Sequence, residues 1–141
     1  VAIAAVLLLA SASVPAAPPP TFRVIVHRDN PASALTVAEL QRMFRKQTRM
    51  WPTGESVVPV DWDATSPVRA DFSDKVMRRS VREMAEFWVQ QNITQGLTPP
   101  TTLKSTRAVL RFVASVPGAI AYVPADEVDD TVKRLEVKGL L

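Results

Sequence analysis

The residues best suited to chemistry lie close together: Asp61, Asp63, Thr65, Ser66 and Arg69, within VVPVDWDATSPVRADF (Val57–Phe72). A Ser-Pro pair reads as a helix start, because serine can accept from a free backbone N–H and proline is pre-shaped for the first turn. A helix N-terminus gathers unpaired N–H groups and partial positive charge, which together can hold an oxyanion. Arg69 could add a planar, bidentate donor to the same place. Thr65, Ser66 and Arg69, with Asp61 lining the loop, therefore form a candidate oxyanion site. A second reading stands beside it, in which Ser66 only caps its helix and Arg69 is solvated. Asp61 and Asp63 alternate along an extended segment and could act as a carboxylate pair on a proton or a hard metal. No third carboxylate or histidine joins them at a recognisable spacing, so a turn-and-cap role fits better.

Other chemistries find little footing. The chain has no cysteine, which excludes thiol catalysis, disulfides and thiolate metal sites. Its single histidine, His27, closes a strand candidate and reads as a loop-edge residue rather than a ligand or general base. Ser66 lacks a Gly-x-Ser-x-Gly elbow, and no P-loop or dinucleotide fingerprint is present, so neither an enzyme nor a cofactor is expected. With 17 basic against 14 acidic residues the net charge is +3, a mild bias toward anionic partners and no nucleic-acid signature. At 141 residues, 47% hydrophobic and 22% charged, the chain reads as one globular domain.

The elements that must position the loop follow from periodicity. Residues 1–20 carry no charge; Val1–Ala10 is an apolar run followed by small residues and prolines. This reads as a secretory signal peptide, truncated at its start, with a Pro-rich junction, and is too short to span a bilayer. Residues 21–141 are then the domain. Phe22–Val26 is a strand candidate. Thr36 to Glu39 fits a capping box ahead of a helix burying Val37, Leu40, Met43 and Phe44. Arg42, Arg45, Lys46 and Arg49 fall at helical spacing as a basic stripe, which reads as a solvated face. Val57–Val60 is the central strand, with Asp61 to Thr65 breaking the pattern. Past Ser66, the face of Val68, Phe72 and Val76 points inward. Ser80 and Glu83 form a second capping box, starting a helix that buries Met84, Phe87 and Trp88. Thr101 or Thr102 is expected to open a further helix, with Val109, Val113 and Val116 on one face. Ala119–Val123 is a buried strand candidate, and Val132–Val137 alternates like an edge strand. Alternating strands and helices make an α/β fold.

In its order of features the sequence resembles one lobe of the periplasmic substrate-binding proteins of ABC phosphate transporters. The residues that carry the resemblance are Val24–Thr36, Glu39-Leu40, Phe44, Trp51, Gly54, Val57–Trp62 with Ser66, Arg69 and Phe72, then Trp88 and Pro117–Val123. Together they cover nearly all of residues 22–137. The resemblance implies a three-layer α/β lobe of a type 2 periplasmic binding protein, with a mixed, mostly parallel sheet flanked by helices. It also implies a periplasmic or secreted location and weak, non-catalytic binding of phosphate or a related oxyanion at the loop spanning Ala64–Arg69, linked to ABC-type transport. The alternative is a ligand-free protein–protein module docking to an envelope partner or transporter. Two departures matter. The family has a Ser-Gly-Thr run where this chain has Ser66-Pro67-Val68, and a glycine at the place of Ala121. Pro67 has no N–H to donate and Val68 no hydroxyl.

Overall fold

A computed structural model describes residues 21–140, so the signal peptide expected at 1–20 lies outside the described residues. Six strands form one sheet in the order β2-β6-β1-β5-β3-β4. They are β1 (Phe22–Val26), β2 (Ala34–Thr36), β3 (Val58–Trp62), β4 (Thr101–Leu103), β5 (Ala119–Pro124) and β6 (Lys133–Lys138). Only β1 runs against its neighbours: it is antiparallel to β5 and β6, whereas β2–β6, β3–β5 and β3–β4 are parallel. The sheet is thus mixed and mostly parallel, as expected.

Every residue of Ala119–Val123 is buried, so β5 is covered on both faces, the condition of a sheet layered between helices. Among the α-helices, α1 (Val37–Phe44) packs on β2, α2 (Pro67–Phe72) on β1, β3 and β5, and α4 (Thr106–Ser115) on β5 and β1, while α3 (Val81–Gln95) lies against the helical segment Ser73–Met77 that follows α2. Phe44 of α1 and Phe72 of α2 join Phe22 of β1 and Tyr122 of β5 in one aromatic cluster, with Phe72 stacked on Tyr122 at 3.8 Å between centroids. Helix α4 lies against β5 and β1 through Val109 and Val113. As expected, Val68, Phe72 and Val76 are buried. The helix Ser80 opens carries both bonds of its capping box.

Several local expectations change. Thr101 and Thr102 open no helix; they form β4, where β-branched threonines suit extended backbone, and Ser105 caps α4 by accepting from the Ala108 N–H at 3.1 Å. β6 is no edge strand, since β2 pairs along its outer side. Its alternation reports one covered face. Strand β3 continues through Asp61 and Trp62 rather than breaking at Asp61. Phe87 is only half-buried beside Met84 and Trp88. The basic stripe is not helical, because α1 stops at Phe44 and Lys46 takes a left-handed conformation with φ 59°. At Thr36 the side chain accepts from the Glu39 N–H at 3.1 Å.

Candidate functional site

The site is built by the end of β3, the turn after it and the start of α2. Asp63 N–H bonds back to the Leu103 carbonyl of β4 at 3.0 Å, and the Ser66 N–H bonds to the Asp63 carbonyl at 2.9 Å, closing the turn. Pro67 then occupies the first turn of α2 with no donor to satisfy. The Ser66 side chain makes no capping bond, contrary to the capping reading, and the Val68 N–H has no partner among the described residues. A hydroxyl and a backbone donor are therefore unspent at the same helix start.

Arg69 turns the other way. Its Nε lies 3.3 Å from Asp61 Oδ1, with the two side chains 13% and 12% exposed, and its Nη1 donates to the Trp62 carbonyl. Asp61 Oδ1 also accepts from the Trp62 N–H at 2.8 Å and from the Tyr122 hydroxyl. Trp62 completes the network by donating Nε1–H to the Tyr122 carbonyl at 2.7 Å. Burial pushes the Asp61 carboxyl up, more than Arg69, Tyr122 and the Trp62 N–H pull it down. Burial, with Asp61 beside it, also drives the Tyr122 phenol well above its ordinary value.

The structure thus divides the predicted residues. Asp61 and Arg69 come together as a buried pair, and Asp61 sits within β3 instead of lining the loop. The physical reason is that a carboxylate on a covered strand needs partners, and Arg69 with Tyr122 supplies them. Thr65 stands on the exposed turn, where its hydroxyl donates to Asp63 Oδ2. That bond holds the Asp63 carboxyl below its ordinary value. Asp61 and Asp63 do not act as a pair: Asp61 is buried in β3 and Asp63 stands half-buried on the turn, each with its own partners. Ser66 remains the free polar side chain of the set.

Under the ion pair lies a narrow crevice lined by Asp61, Arg69 and Ser73 with apolar residues that include Phe72, Met84 and Trp88. Its free volume for a water-sized sphere is about 10 Å³, room for about one water. Among the described residues no group of three or more His, Asp or Glu could hold a metal, and no helix is long and apolar enough to cross a membrane. Sequence reasoning missed Tyr122 and Trp62. The available signal was an aspartate inside an apolar β-branched run, which demands buried partners.

No protein-family model matches the chain, and no curated protein matches it significantly. Solved structures do. An ABC-type phosphate transport receptor from Vibrio cholerae superposes with a TM-score of 0.67 at 18% identity, over 85% of this chain and 47% of that one. A putative phosphate ABC transporter substrate-binding protein with bound phosphate from Clostridium perfringens gives 0.67 at 20% identity, over 86% and 46%. PstS from Borrelia burgdorferi gives 0.65 at 13%, over 86% and 48%. The chain spans about half the length of the solved structures it matches. At these identities the likeness establishes the fold: a lobe of the phosphate-binding-protein type.

Proposed function

We propose that this domain is a non-catalytic binding-protein lobe, periplasmic or secreted, that takes phosphate or a related oxyanion weakly and reversibly at the start of α2, in the service of ABC-type phosphate transport. The observation that carries the reading is the pair of unspent donors, the Ser66 hydroxyl and the Val68 N–H, at the carboxyl end of β3. Support comes from the fold it shares with a transport receptor and with a protein solved with bound phosphate. Arg69 serves by anchoring the turn from below through the Trp62 carbonyl and Asp61, rather than by touching the anion. Thr65 frames the turn through Asp63. Because Asp63 stays ionised beside the donors and Pro67 contributes none, the affinity is low.

The test is a phosphate titration followed by backbone amide resonances. Saturable shifts centred on Val68, absent with chloride at equal ionic strength, support the reading. Equal shifts with both salts reject it.

A further inference from the structure

A second cluster of unspent cationic groups lies away from the α2 site. The Arg45 guanidinium carbon and that of Arg79 are each 5.9 Å from the centroid of the Phe87 ring. One half-buried ring of α3 thus gathers two like charges, one from the end of α1 and one from the segment between α2 and α3. Both backbones are fixed: Arg45 N–H bonds to the Gln41 carbonyl at 2.9 Å. Arg79 N–H bonds to the Ser73 carbonyl at 3.2 Å, and the Arg79 carbonyl accepts from Ser73 Oγ at 2.6 Å.

Neither guanidinium has a carboxylate within 4.0 Å among the described residues. The acidic residues of the adjoining turn are already engaged, Glu86 with Arg82 at 3.5 Å and Glu83 with the Ser80 N–H at 3.3 Å. Arg45 Nε is buried and has no hydrogen-bond partner. Burial first, and Arg79 second, lower the Arg45 pKa, so a second positive charge stands close enough to Arg45 to repel it. Leaving a charged donor unmet costs more than a typical hydrogen bond returns.

We propose that Arg45 and Arg79, held against Phe87, form a second anion-binding site whose ligand is a phosphate-class dianion, free or carried on a lipid headgroup. Two guanidiniums on one ring supply two positive charges and several N–H donors to a doubly charged oxyanion, and a bound dianion would offset the repulsion between them. None of Arg45, Arg79 and Phe87 lines the crevice under Asp61, so the site stands or falls independently of the α2 loop.

The experiment follows the Arg45 Nε–Hε resonance of the full chain during titration with inorganic phosphate. A parallel arm measures co-sedimentation with phosphatidylcholine vesicles with and without phosphatidic acid. A saturable shift in phosphate that is absent in chloride, weakened about tenfold by Arg79→Gln and kept in Ser66→Ala, supports a free ligand. Sedimentation that requires phosphatidic acid and is lost in both Arg45→Gln and Arg79→Gln supports the headgroup. Shifts identical in chloride, together with no vesicle binding or binding unaffected by these substitutions, overturn the proposal. Arg79 is exposed, so its variant keeps the fold and the readout.

Discussion

Asp61 of β3 and Arg69 of α2 meet at 3.3 Å, each side chain only about one-eighth exposed. The pair ties the first helix after the central strand to the sheet that carries it. Removing one partner leaves the other buried and uncompensated. Arg69→Ala is therefore expected to cost about 3 kcal/mol in urea denaturation, the lower end for such a pair because some exposure remains. A stability loss below the level of an ordinary surface substitution would show that the pair does not hold α2.

Burial raises the Asp61 carboxyl above the ordinary value of 3.8. The folded state then binds a proton that the unfolded chain has already released. This contribution to stability is full below the unfolded value and is lost as pH rises through the folded one. Comparing denaturation curves against pH for wild type and Asp61→Asn should show that falling component in the wild type alone. A component rising with pH would mean that Arg69 outweighs burial.

Tyr122 donates to Asp61 from the neighbouring strand while its ring stacks on Phe72. Tyr122→Phe keeps the stack and removes a donor to a charged acceptor, so a loss of about 1.5–3 kcal/mol is expected. The Asp61 titration should also move further upward. Unchanged stability with an unmoved titration would show that the hydroxyl contributes nothing.

Gly118 precedes β5 where two chain segments touch. A Cβ there would lie 1.8 Å from the Ser56 carbonyl oxygen, and the Gly118 carbonyl accepts from the Trp51 indole at 2.9 Å and the Val58 N–H at 2.9 Å. Gly118→Ala must push backbone against backbone, with an expected loss of about 1–3 kcal/mol or more and shifted Trp51 fluorescence. A variant as stable as wild type would place this approach in error.

Much of the fold was legible in the sequence, because β-branched runs such as Val24–Val26 and capping signals such as Ser80 to Glu83 report local physics. Thr101–Leu103 was not, since a three-residue strand owes its existence to pairing with β3 and carries no periodicity of its own. Nor was the inner position of β6, as alternation reveals a covered face but not the neighbour at the strand's side. At the site, the start of α2 was readable from Ser66-Pro67. The direction of Arg69 was not: an arginine one turn into a helix can reach outward to a ligand or inward to a carboxylate, and the choice depends on Asp61 and Tyr122 meeting across the sheet.

Ser66 decides the central claim, because its side chain makes no capping bond and its loss should leave the fold intact. Phosphate is titrated calorimetrically, at low ionic strength, into wild type and Ser66→Ala, with thermal denaturation of both as control. Saturable heat in the wild type, lost or strongly weakened in Ser66→Ala at equal thermal stability, is the result expected of an oxyanion site at the start of α2. No heat from the wild type at phosphate concentrations on the order of millimolar, or binding unchanged by Ser66→Ala, would contradict it.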